Sequence, residues 1–162
     1  MKILSLGSRL AALILLAGLG ACAVYTPPAA LVGQSAQQVK AVMGPPTVEM
    51  ADRLVYARGP MGEHTWFVWL GQDGRVQALE QRLREDLFAQ VLPGMSREDV
   101  VHWIGPPGER WGLARGRGEV WSWRYENHQC QWFQVEIDAQ GRVRNAGYGI
   151  RPECEKPDWE LP

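Results

Sequence analysis

A segment that occurs twice constrains this fold more than any other feature of the chain. Residues 33–46 read Gly-Gln-Ser-Ala-Gln-Gln-Val-Lys-Ala-Val-Met-Gly-Pro-Pro, and residues 94–107 read Gly-Met-Ser-Arg-Glu-Asp-Val-Val-His-Trp-Ile-Gly-Pro-Pro. Gly, Ser, Val, Gly, Pro and Pro coincide at a constant offset of 61. Self-similarity over such a period marks one supersecondary unit built twice.

Each copy has a mechanical meaning. Ser35 and Ser96 stand where N-cap hydroxyls accept from the orphan amides of a first helical turn. Gln38 and Asp99 follow at N3, the position that reaches back to close a capping box. Val39, Val42 and Met43 make one apolar stripe at helical spacing, and Val100, Trp103 and Ile104 make the other. Gly44 and Gly105 end the helices, and each Pro-Pro forbids continuation.

Strand patterns follow both helices. In the first copy, residues 54–58 lead through a loop to 64–70, and Asp73-Gly74 turns the chain into 75–83. In the second, 119–125, 130–137 and 142–150 are joined by turns at 126–129 and Gln140-Gly141. Gly-Arg-Val opens both final strands, at 74–76 and 141–143. The expected fold class is α+β, with two tandem units of short helix plus three-stranded antiparallel meander, at 33–83 and 94–154. Between them, Leu87, Phe88, Val91 and Leu92 predict a connecting short helix over 84–93, and 155–162 form a tail.

The amino terminus carries a different signal. Lys2 and Arg9 supply a positive stretch before an apolar run from Leu10 to Ala21, shorter than the about 20 residues a membrane span requires. Residues 1–21 therefore read as a cleavable signal peptide. The sequence Leu19-Gly20-Ala21-Cys22 resembles the lipobox of bacterial lipoproteins. That resemblance implies cleavage before Cys22, diacylglycerol on its thiol and an acyl group on its new amine. Such an anchor exceeds the two-signal requirement for stable membrane attachment. Ala23 stands where an Asp would resemble the inner-membrane retention signal, so the expected location is the outer membrane, facing the periplasm. Residues 22–32, with Pro27 and Pro28, read as a lipidated tether.

With Cys22 assigned to lipid, Cys130 and Cys154 remain as a pair, and an oxidising periplasm predicts their disulfide. Loss of residues 1–21 moves the formal charge from −1 to −3. No basic block accompanies it, which argues against nucleic acid as a partner.

The whole mature chain resembles the SmpA/OmlA (BamE-type) outer-membrane lipoproteins. The residues that carry this are the lipobox, Gly94-Met95-Ser96-Arg97-Glu98-Asp99-Val100 with Gly105-Pro106-Pro107, Trp121 to Tyr125, and Trp132-Phe133. The tandem arrangement is also similar to β-lactamase inhibitory protein, where two such units align their sheets into one concave surface. The family resemblance implies an accessory role in β-barrel assembly, with binding to partner subunits and anionic phospholipid. Two units in place of one set this chain apart from the family pattern.

Catalytic motifs are missing: the chain has no Gly-x-Ser-x-Gly elbow, His-Glu-x-x-His or Walker loop. Ser35 and Ser96 have capping duties, and His64, His102 and His128 form no obvious metal set. The expectation is a binding protein with no catalytic residues, no metal and no cofactor. Eight tryptophans supply the candidate surface. Strand alternation puts Trp66, Val68 and Leu70 inside with Phe133, Val135 and Ile137, and Trp121, Trp123 and Tyr125 on the core side of their strand. Phe67, Trp69 and Trp132 then point outward and, with Arg124, form a candidate partner-binding patch on an open sheet face. The alternative is that the sheets, or the tether, cover these rings. The functional expectation is a lipid-anchored module accessory to outer-membrane protein assembly or envelope integrity. The alternatives are an inhibitor-type module that captures a periplasmic enzyme and a structural envelope lipoprotein.

Overall fold

A computed structural model describes residues 27–58 and 61–155. The signal segment, Cys22, Gly59, Pro60 and residues 156–162 lie outside them. Helix α1 (Ala36–Met43) begins at a closed capping box: Gln38 N donates to Ser35 Oγ, and Ser35 N donates to Gln38 Oε1 at 2.9 Å. Helix α3 (Arg97–Ile104) begins the same way, with Asp99 in the part of Gln38. Gly44 and Gly105 terminate these helices at φ +80° and +87°, a region closed to most side chains.

Strands β1 (Val48–Glu49), β2 (Arg53–Ala57), β3 (Thr65–Leu70) and β4 (Val76–Gln81) form one antiparallel sheet in that order. Strands β5 (Glu109–Gly112), β6 (Gly118–Arg124), β7 (Gln131–Asp138) and β8 (Val143–Ile150) form the other. Each meander thus has a fourth strand that strand periodicity did not reveal. The cause is local: Pro-Pro keeps the chain extended as it leaves the helix, so it runs back along the unpaired edge of β2 or β6.

The two units repeat down to single hydrogen bonds. Gly33 N donates to Val76 O and Val76 N to Gln34 O, while Gly94 N donates to Val143 O and Val143 N to Met95 O. Tyr56 Oη donates to Gly44 O at 3.1 Å, and Trp123 Nε1 donates to Gly105 O at 3.2 Å. Each sheet packs one face on its own helix. Val39 and Met43 meet Leu54, Tyr56 and Val68 in the first core. Val100 and Ile104 meet Trp121, Trp123, Phe133 and Val135 in the second. The short helix α2 (Glu85–Phe88) gives Leu87 and Phe88 to the second core, where Phe88 stacks on Phe133 at 4.3 Å.

The single concave surface that the similarity to β-lactamase inhibitory protein implies is not what the two units build. The sheets are separate, and the outer face of the first lies against α3. The layers therefore run α1, first sheet, α3, second sheet, so one concave sheet does not span both units.

Candidate functional site: the joint and the cleft beside it

Register places Arg53 beside Trp69, Val55 beside Phe67, and Phe67 beside Glu80 on the outer face of the first sheet. Arg82 continues β4 next to Thr65, since Arg82 N donates to Thr65 O at 2.8 Å. These side chains share the face opposite the core, as alternation predicts, but that face is not open. Phe67 is fully buried and Trp69 half-buried. The Arg53 guanidinium lies 4.2 Å from the Trp69 ring centre and 5.1 Å from that of Phe67. Arg82 lies between Phe67 and Trp103, at 5.2 and 5.0 Å.

What covers the face is the C-terminal turn of α3. A helix leaves its last carbonyls without intrahelical partners, and cations there are favoured by the dipole. Arg82 Nε donates to Trp103 O at 2.9 Å and Arg53 Nη1 to His102 O at 3.3 Å, so two arginines of one unit cap the helix of the other. Arg82 is also paired with Glu80 at 2.6 Å, and Glu80 accepts from Trp69 Nε1 at 3.0 Å. Burial of these two cations is supported by paired charge, capped carbonyls and ring faces together.

Arg124 and Trp132 sit elsewhere, on the outer face of the second sheet, so the four patch residues are not brought together. Trp132 is only 5 % exposed, covered by Trp111 of β5 at 5.3 Å and by the Arg124 guanidinium at 5.6 Å. Arg124 is in turn paired with Glu153 and, at 3.3 Å, with Glu109. The Glu153 bond raises the Arg124 pKa above its ordinary value. As an exposed patch, Phe67, Arg124 and Trp132 are withdrawn.

A disulfide joins Cys130 to Cys154, whose Cα atoms are 6.3 Å apart. It fixes the turn Pro152–Cys154, which presents Glu153 to Arg124. Adjacent Arg151 bonds to Tyr125 O and Gln131 O and reaches Glu63 of the first unit, making a second strut across the joint. Cys22, the lipidation candidate, lies outside the described residues.

Beside the joint is a cleft of about 470 Å³. Met50 of the first unit lines it with Arg97, Glu98, Val101, His102, Arg110, Glu119 and Trp121 of the second. Arg97 pairs with Glu119 at 2.7 Å, and Arg110 lies 4.4 Å over the Trp121 ring. Trp121 is 3 % exposed, yet its Nε1 has no hydrogen-bond partner among the described residues. A buried side-chain nitrogen without a partner is uncommon in folded proteins. Sequence reasoning missed Met50, Arg110 and Trp111, because β1 and β5 were not recognised. The alternation Glu109, Trp111 against Arg110 was the available signal for β5.

Among the described residues, no helix is long and apolar enough to cross a membrane, and no cluster of three metal-ligating side chains occurs. No family model and no curated protein matches the chain. Part of it is similar to a solved structure described as an osmotically inducible lipoprotein, OsmE. That likeness has 26 % identity over 41 % of this chain and 73 % of the other, with a TM-score of 0.36. A protein of the DUF4309 family, YjgB from Bacillus subtilis, is similar at 11 % identity over 72 % of this chain and 78 % of its own, with a TM-score of 0.29.

Proposed function

We propose that this chain is a lipid-anchored binding module of the outer membrane, accessory to β-barrel protein assembly or envelope integrity, that presents the inter-unit cleft to a protein partner. The observation that carries the reading is the cleft itself. Its lining comes from both units, which buried arginine caps hold together, and it carries the exposed Arg110 over the Trp121 ring. A partner carboxylate pairs with the exposed Arg110, and Met50 and Val101 give apolar contact. The lipobox at Cys22 supports attachment, and the predicted anchor confines the search for a partner to the membrane surface.

The test is affinity capture from crosslinked outer membranes with the lipidated protein, alongside Cys22→Ala and Arg110→Glu. Recovery of barrel-assembly subunits, lost in both variants while the thermal melt of Arg110→Glu is unchanged, supports the proposal. Equal recovery by Arg110→Glu removes the cleft from it. Capture of only a soluble periplasmic protein, indifferent to the anchor, overturns the accessory role.

A further inference from the structure

Helix α3 docks on the first sheet through His102 and Trp103, which meet Arg53 and Arg82. At the repeat offset of 61, the same positions of α1 are Ala41 and Val42. Both are exposed, Val42 at 50 %. Thus α1 turns outward the face that its sister helix uses for docking. A groove of about 370 Å³ runs along it, with Pro28, Ala30, Leu31, Ala41 and Val42 as its apolar lining and Gln34 and Gln38 as its polar one. Val32, 52 % exposed, lies next to it in the chain.

Two observations select the occupant. A second copy that docked on α1 as the first sheet docks on α3 would need cations at the positions of Arg53 and Arg82, and the outer face of the second sheet does not have them there. Register puts Val120 where the first sheet has Arg53, and Gly149 where it has Arg82. A lipid surface fits on charge and on reach. Residues 27–46 contain one charged side chain, Lys40, and it is paired with Glu49 at 2.6 Å. Pro28 of the groove is also close to the anchor point: Cys22 lies five residues before Pro27, a span of at most about 18 Å.

We infer that the outward face of α1, with Ala30, Val32, Ala41 and Val42, rests on the bilayer surface and fixes how the anchored module stands on the membrane. Small apolar side chains without a free charge dip into the interfacial region, and the contact needs no anionic headgroup. This orients the rest of the module, cleft included, relative to the lipid. The inference rests on the proposed lipidation of Cys22.

The test uses lipidated full-length protein carrying Val42→Cys, or Gln140→Cys as control, labelled with an environment-sensitive fluorophore. With Cys130 and Cys154 disulfide-bonded and Cys22 acylated, the introduced thiol is the one that reacts. The proteins are reconstituted in phosphatidylcholine vesicles. The label at 42 is expected to shift to the blue and to be quenched several-fold more by nitroxide lipid than the label at 140. Addition of phosphatidylglycerol leaves that ratio unchanged. A water-like label at 42 on protein that still floats with the vesicles overturns the inference and leaves the anchor standing. A blue shift that grows with protein density, without lipid quenching, overturns it in favour of a second copy. An unmodified Cys22 by mass spectrometry, with no flotation, removes the anchor and the inference together.

Discussion

Arg82 Nε donates to the main-chain carbonyl of Trp103 at 2.9 Å, while the same guanidinium lies 5.0 Å from the Trp103 ring. One side chain of the first unit thus both caps the second unit's helix and covers its last aromatic residue. Arg82→Ala leaves that carbonyl and Glu80 without their buried partner. The expected cost is about 2–3 kcal/mol in urea unfolding, the scale of a hydrogen bond to a charged group. Arg82→Lys recovers little of it, because an ammonium cannot span carbonyl, carboxylate and ring as a planar fork does.

Burial turns the aromatic patch into a stability prediction. Phe67→Ala and Trp132→Ala should each cost about 3–5 kcal/mol, as large-to-small changes in packed surroundings do. Chemical denaturation of the two variants measures this. A wild-type midpoint for Trp132→Ala would mean that Trp111 does not cover the ring.

The two capping boxes should respond differently to acid. The Ser96 hydroxyl and amide donate to Asp99 and hold its carboxyl below the usual range. A lowered folded-state pKa gives stability that is complete above the unfolded value and is lost as pH falls through the folded one. Gln38, in the same place in α1, does not titrate. Ser96→Ala should cost about 1 kcal/mol near neutrality and progressively less in acid, whereas the similar cost of Ser35→Ala should not vary with pH. Unfolding free energies of both variants across the acid range check the contrast.

Reduction of Cys130–Cys154 opens a loop with a sequence separation of 24. The chain-entropy model puts the loss at about 3 kcal/mol. It should also release Glu153 from Arg124, so hydrogen exchange should rise first in 151–155 and at β5. Uniform loss of protection over both units would contradict this order.

Sequence made the helices and most strands legible because their signals are local. Ser35, Ser96, Gly44 and Gly105 specify helix ends through their own backbone chemistry, and alternation about Val68 and Val135 specifies the core faces. The cover over an outer face is not local information. Phe67 and Trp69 were placed on the correct side, but the helix that buries them lies more than two dozen residues later. Arg53 and Arg82 look like solvated strand residues until α3 reaches them. Strand β1 spans only two residues, too short for alternation to register, and β5 spans four, where the alternation about Arg110 is a weak signal beside the Pro-Pro and glycine turns that flank it. The cleft depends on both omissions, so Met50 and Arg110 could not be read as its walls.

The docking of α3 on the first sheet is tested most directly at Gly105 and Thr65. A Cβ at Gly105 would meet Thr65 Cγ2 at 2.6 Å, while at Gly44, its repeat equivalent, nothing lies within 4 Å. Both glycines combine positive φ with an extended ψ, so Gly44→Ala reports the backbone strain alone, about 1–3 kcal/mol. The measurement is a double-mutant cycle of Gly105→Ala with Thr65→Ser by urea unfolding, with Gly44→Ala as reference. Close docking predicts that Gly105→Ala costs clearly more than Gly44→Ala, and that Thr65→Ser returns much of the excess. Equal costs for the two glycines, with strictly additive effects in the cycle, would contradict a joint between the units.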